Sequence, residues 1–280
     1  MTNQSKNIAI YPTNDWIFKR VYGRKGSENI TEKFINAFLD LDIKVKDLNE
    51  QKNLETDIMD EKAGIIDVFV ETHDGTQIDL EMQVGNYEDF GVRLTKYACQ
   101  LFANSLKKGS SYDSCKKTIV MALIKDDIDK YSSLENYRLR WNLREEVSHN
   151  ILLTDKFEVV IIRLAKINEL IHNNKIKDNE KIALWTKFLF NPKDLKEEDM
   201  KENPEIKEAV EIYNDVTSDM GEINAAIRRD MFLSDIASGK KRAVEEGIKK
   251  VAKKMLDANE PIDKIIQFTG LIKEEIEELK

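Results

Sequence analysis

The stretch IIDVFVETHDGTQIDLEMQV (residues 65–84) decides how this chain is read. Two strand-like runs, IIDVFV and QIDLEMQV, flank a turn. Side chains alternate faces along a strand. Ile66, Val68 and Val70 are apolar on the first run, as are Ile78, Leu80 and Met82 on the second. Asp67, Phe69, Glu71, Asp79, Glu81 and Gln83 have the opposite parity. The two apolar sets share a face when the loop is His73-Asp74-Gly75, closed by Thr72 opposite Thr76. That is a bulged hairpin in which Gly75 supplies the left-handed residue. A two-residue loop would slip the register by one and split the apolar set. The favoured register sets Asp67 opposite Glu81, with Gln83 just beyond. Cross-strand Cβ atoms lie roughly 4.5–5.5 Å apart. One hard divalent cation fits between such carboxylates, which repel each other without it. The competing reading is an acidic strand face that is simply solvated. Against it stand the convergence of the acids, the amide of Gln83, and Gly85 followed by a helix able to wall one side of a cleft.

The 280 residues are 41% hydrophobic and 34% charged, which allows one main core with an appendage. Eleven Gly and four Pro argue against long disordered linkers. No apolar run approaches the ~20 residues of a membrane helix, so no membrane partner is expected. The opening MTNQSKNIAI lacks the basic start and apolar stretch of a secretory leader. Cys99 and Cys115 are too few for a disulfide scaffold. They are expected as small buried residues in a reducing, cytoplasmic setting. No Cys/His cluster supports zinc, and His73, His149 and His172 are scattered, which argues against a Ser-His-Asp or Cys-His site. The net charge of −8 does not favour nucleic acid, though a local basic surface can coexist with an acidic whole.

Working outward, YPTNDWIFKRVYG (11–23) reads as a cap at Thr13 or Asn14 followed by an amphipathic helix. A second helix starts near Ser27 or Asn29, with Phe34, Ile35, Phe38 and Leu39 at helical spacing. Residues 43–60 read as a weak strand and a loop. After the hairpin, DFGVRLTKYACQLFANSLKKG predicts a helix stopped by Gly109. KKTIVMALIK and FEVVIIRL are buried-strand candidates. Between them, Arg138, Arg140 and Arg144 around Trp141 could contact DNA backbone, with a solvated helix face the favoured reading. Beyond about residue 167 the chain is helical and ends in two short helices around Thr269-Gly270. The simplest packing is an α/β fold: a mixed sheet flanked by helices, with a helical C-terminal extension. The expected division is a core over 1–170, a helical extension over 171–238, and a basic helix with a helix-turn-helix-like tail over 239–280.

The hairpin resembles the PD-(D/E)XK nuclease signature, an acid on one strand and E-x-K on the next, with Gln83 in place of Lys. TNDWIFKRVYG, LEMQ after the DG turn, and FGVRLTKY closely resemble the recombination-promoting nuclease and transposase family, over roughly residues 11–230. The resemblance implies a restriction-endonuclease-like fold and divalent-metal-dependent DNA endonuclease activity linked to recombination or a mobile element. By motif, Asp67 and Glu81 would ligate Mg²⁺ or Mn²⁺, with the backbone carbonyl of Met82. Gln83 would orient the attacking water without supplying a cation. Asp15, on the first helix, would join the site; the plainer reading is an acid favoured by the helix dipole. Arg93 and Tyr97, at i and i+4, share a helix face. Arg93 would meet a DNA phosphate and Tyr97 would hydrogen-bond within the site, or else they are an exposed Arg and a core Tyr. Asp79 and Glu71, nearer the turn, are expected in solvent.

Residues 239–254 carry seven basic residues, Lys240, Lys241 and Arg242 among them, against two acids. Such a helix can make non-specific phosphate contacts. Cutting both strands with one site per chain would call for a homodimer. The rival reading is a nuclease-derived module that binds nucleic acid or protein without cleaving, as the loss of Lys at position 83 suggests.

Overall fold

In the computed structural model, the described residues are 10–53, 65–85, 89–106 and 108–279, without the side chains of 51–53, 65, 66, 233, 236, 237 and 240. Residues 54–60 of the expected strand-and-loop segment 43–60, the Ile66 side chain and the Lys240 side chain therefore lie outside the described residues. The chain forms two compact units, Met1–Ala226 and Ile227–Lys280.

The first unit is built on a six-stranded sheet in the order β1-β2-β3-β4-β6-β5. Its strands are β1 (Val45–Asn53), β2 (Ile65–Thr72), β3 (Gln77–Gln83), β4 (Thr118–Ile124), β5 (Arg138–Trp141) and β6 (Phe157–Arg163). β1, β2 and β3 pair antiparallel, β3, β4 and β6 parallel, and β5 closes the far edge antiparallel to β6. The sheet is thus mixed, as expected. β4 is buried along its whole length, the pattern of a parallel strand covered on both faces.

The hairpin takes the register that parity requires. Val68 pairs with Leu80 and Val70 with Ile78. Thr72 and Thr76 close the turn through Thr72 N–H to Thr76 O at 3.0 Å, and Gly75 has φ +85°. Asp74 accepts from the Thr72 hydroxyl and, at 3.0 Å, from the Thr76 N–H. Asp-Gly therefore specifies this turn chemically.

α1 (Asp15–Tyr22) starts at Asn14, whose side chain accepts from the Trp16 and Ile17 N–H groups. α2 (Glu28–Leu39) follows. Ile17, Phe18, Val21 and Tyr22 of α1 are fully buried. Phe18, Tyr22, Phe34 and Trp185 form a chain of ring contacts that links α1 and α2 to α5 (Lys181–Phe190). Gly23 ends α1 against β1, where a Cβ would lie 2.8 Å from Glu50 Cβ. Arg20 reaches the Glu50 carboxylate at 2.7 Å. These contacts fix α1 beside the hairpin.

α3 (Phe90–Asn104) lies on the other face, with Phe90, Leu94 and Ala98 packed on Val120, Ala122, Ile124 and Ile161. It stops before the expected Gly109, because its last turn tightens at Ser105, whose N–H bonds Phe102 O at 3.1 Å. α4 (Leu164–His172), α5, α6 (Glu197–Glu202) and α7 (Pro204–Ser218) complete the first unit's helices up to α8 (Met220–Asp257), inside which the division between units falls.

Two expectations are corrected. Arg138 and Arg140 lie on strand β5, not on a helix: Leu139 is buried between the two arginines, a period of two. Their guanidinium groups bond Phe38 O and Leu39 O, capping α2 from the sheet edge. Cys99 is exposed and Cys115 half-buried, because α3 turns Ala98 and Leu101 inward instead.

In the second unit, Ala252 of α8, Ile265 of α9 (Ile262–Thr269) and Ile276 of α10 (Lys273–Glu277) form a small core. Gly270, at φ +70°, ends α9 with its N–H on Ile266 O at 2.9 Å.

Candidate active site

The acidic parity of the hairpin faces α3. Phe69, directly opposite Asp79, packs with Leu101 and Tyr97. On its other side Asp79 pairs with Val120 of β4. Asp79 is consequently fully buried, and neither carboxylate oxygen has a hydrogen-bond partner among the described residues. The expectation that it lies in solvent is overturned: α3 covers the turn-proximal half of this face. Glu71 is only partly exposed and is bracketed by Lys46 at 2.9 Å and Lys116 at 3.2 Å.

Asp67 and Glu81 meet as the register demands, with the Asp67 N–H 3.4 Å from Glu81 Oε1. Burial, then the neighbouring Asp67 and Asp79, pushes the Glu81 carboxyl well above the carboxylate range. Burial and Asp67 push Asp79 well above it too. Burial and Asp15 raise Asp67, partly offset by Lys19. Two buried acids and a partly exposed third on adjacent strands thus resist ionising together.

Lys19 enters this cluster from α1. Its ammonium is 2.7 Å from Asp67 Oδ1 and 2.8 Å from Asp15 Oδ1, and the residue is only 4% exposed. Burial opposes its charge, but Asp67 and Asp15 outweigh burial and hold it above the usual lysine value. Asp15 is therefore joined to the acidic face through Lys19. Neither Lys19 nor Asp79 was singled out by motif. The signal for Lys19 was its place four residues after Asp15 on a helix that also carries Ile17, Phe18, Val21 and Tyr22.

Gln83 lies at the rim. Its amide nitrogen donates to Gly85 O at 2.9 Å, and its amide oxygen accepts from Arg93 at 2.7 Å. Arg93 thus belongs to the site margin, while Tyr97 is half-buried against Phe69. Burial, then Glu81, raises the Tyr97 phenol. Met82 is buried on the opposite parity, so only its backbone can face the acids. Lys241 and Arg242 are exposed on α8 in the second unit.

Oxygen donors of this kind suit hard divalent ions. Among the described residues no three His, Cys, Asp or Glu side chains close a metal site by themselves. Mg²⁺ does not need that, since it keeps several waters and takes one or two carboxylates together with substrate phosphate. The two unpartnered oxygens of Asp79, beside Glu81, make the donor set compatible with such an ion. A shallow hollow lined by Asp40, Tyr137, Arg138 and Glu180 lies among other residues and holds none of these acids.

The family model for the PD-(D/E)XK nuclease family transposases matches residues 12–243. The chain belongs to this family. The match runs from just before α1, through the sheet, into α8. Membership makes the protein nuclease- and transposase-like, with DNA as the implied substrate and divalent metals as the usual cofactors of such nucleases. The mixed sheet flanked by helices is the corresponding α/β fold. No curated protein and no solved structure matches the chain. Among the described residues no helix is long and apolar enough to cross a membrane.

Proposed function

We propose that this protein is a metal-dependent DNA endonuclease that hydrolyses phosphodiester bonds, serving recombination or a mobile element in the cytoplasm. The observation that carries the reading is the mutually repelling set of partly exposed Asp67 with buried Asp79 and Glu81, both Asp79 oxygens being unpartnered among the described residues. A merely solvated strand face would not keep such a set out of water.

In this reading Asp67 and Glu81 hold Mg²⁺ or Mn²⁺ with the Met82 carbonyl, and Asp15 supports them through Lys19. The ion would polarise the phosphate and lower the pKa of the attacking water. Gln83 has one amide hydrogen beyond its bond to Gly85 O with which to orient that water. Arg93, held by Gln83, and Tyr97 flank the phosphate path. Residues 1–170 carry the chemistry and 171–238 brace α1 from behind. The tail from 239, with Lys240, Lys241 and Arg242, adds sequence-independent phosphate contacts. Cutting of both strands would use a homodimer.

The test is cleavage of a supercoiled plasmid with Mg²⁺ or Mn²⁺. Wild type is expected to nick it, and Asp67→Ala and Glu81→Ala to lose about 10²–10³-fold or more in rate. Equal cleavage by wild type and Glu81→Ala would remove the assignment. A second reading, a nuclease-derived module that binds DNA without cutting it, is favoured by the uncharged Gln83. DNA binding and metal uptake without cleavage under both ions would establish it instead.

A further inference from the structure

The signature position on β3 that carries Lys holds Gln83, and both polar atoms of its amide already have partners, Gly85 O and Arg93. Arg93 is engaged by Gln83 and, among the described residues, forms no ion pair with the acids. Lys19 does reach them. Its ammonium touches Asp67 and Asp15, which uses two of its three N–H donors. Burying an ammonium is unfavourable unless its partners compensate. On α1 an apolar residue would suit the surroundings better, since Ile17, Phe18, Val21 and Tyr22 are all fully buried. Helix α1 is also rigidly seated, by Gly23 against Glu50 and by the aromatic chain to Trp185. A cation fixed so firmly beside the acids is preorganised for a developing charge.

We propose that Lys19 is the catalytic ammonium of this site. Reaching from α1, it contacts the scissile phosphate and supplies the charge that Gln83 lacks. It neither gives nor takes a proton in this role. It offsets negative charge on the phosphoryl oxygens while the water oxygen bonds to phosphorus and the bond to the leaving oxygen breaks. The proposal rests on the nuclease reading above.

The test compares wild type, Lys19→Met, Lys19→Arg, Glu81→Ala and the double variant Lys19→Met/Gln83→Lys in plasmid cleavage, with Mn²⁺ titration calorimetry on each. Lys19→Met is expected to cleave about 10²–10³-fold more slowly, the scale for one preorganised donor. It should bind Mn²⁺ at least as tightly as wild type, because a competing cation has left the acids. The double variant should recover about tenfold or more over Lys19→Met, because the charge returns from β3. Cleavage by Lys19→Met within about threefold of wild type overturns the proposal. Loss of Mn²⁺ binding by Lys19→Met also overturns it, since Lys19 would then merely organise the acids. If Lys19→Met does not melt cooperatively, Lys19→Arg decides. It keeps the charge and the ion pairs, so a rate within about tenfold of wild type with the melting midpoint retained supports the cation, while a rate as low as that of Glu81→Ala overturns it. A wild type that binds Mn²⁺ and cleaves, with Lys19 variants equal to it, sinks this inference alone. A wild type that neither binds nor cleaves sinks the nuclease reading as well.

Discussion

Asp79 shows what a single residue can report. A carboxyl group fully buried between Phe69 and Val120, with no donor on either oxygen, has its pKa raised by burial and by Asp67. An acid raised in the folded state favours its protonated form there. Folding is unpenalised below the unfolded value near pH 4 and is progressively penalised as pH rises from that value through the folded one. Asp79→Asn removes the penalty. In chelator at pH 8 the variant should be more stable than wild type by about 1 kcal/mol or more, since each unit by which the fold raises a carboxyl costs roughly 1.4 kcal/mol once it ionises. The two should converge near pH 4. Thermal melts at both pH values check this, and a variant less stable than wild type at pH 8 would mean that Asp79 has a favourable partner. Its neighbour Glu81 was legible from parity alone, because the turn fixes register locally. The burial of Asp79 was not, because it depends on a helix laid over the sheet from later in the chain.

At the scale of the element, α1 matters most. It carries Asp15 and Lys19 to the acids, and it is held from outside by Glu222 at the start of α8. The Glu222 carboxylate accepts from Trp16 Nε1 at 2.6 Å, Arg20 Nε at 3.1 Å and Arg24 at 2.9 Å. Partial burial would raise the Glu222 carboxyl, but Trp16 and the two arginines hold it below the ordinary glutamate value. A carboxyl depressed in the fold contributes stability above its unfolded value near pH 4.3, and loses it as pH falls through the lower folded value. Glu222→Gln should therefore cost about 1.5–3 kcal/mol at pH 7, the range for hydrogen bonds to a charged group. The loss should fade below pH 4. Denaturant titrations at pH 7 and pH 3.5 measure it, and a loss of the same size at both would rule out the charge as its source. Strand β5 teaches the same lesson from the other side. RLRW alternates, yet four residues are too few for periodicity to separate strand from helix, and pairing with β6 decided the matter.

At the scale of the whole molecule, the sheet and its aromatic braces lie within Met1–Ala226, while Ala252, Ile265 and Ile276 form a core of their own in Ile227–Lys280. A chain ending at Ala226 should melt as one cooperative unit, because every core residue of the sheet and Glu222 are retained. Its calorimetric and van't Hoff enthalpies should agree. Non-cooperative melting would show that the second unit is needed to fold the first. The truncated chain should also bind DNA with a shallower salt dependence, having lost Lys241 and Arg242. The sequence by itself determined the hairpin, its register, the meeting of Asp67 with Glu81, the buried strands and the mixed α/β plan. All of these follow from turn chemistry and alternation, which act over a few residues. Only the tertiary structure decided that Asp79 is shut away without a partner, that Gln83 is committed to Arg93 and Gly85, and that Lys19 stands between Asp15 and Asp67. Those facts arise where α1 and α3, distant in sequence from one another, close on the same pair of strands. Desolvation and ion pairing are properties of that closure and of no segment alone.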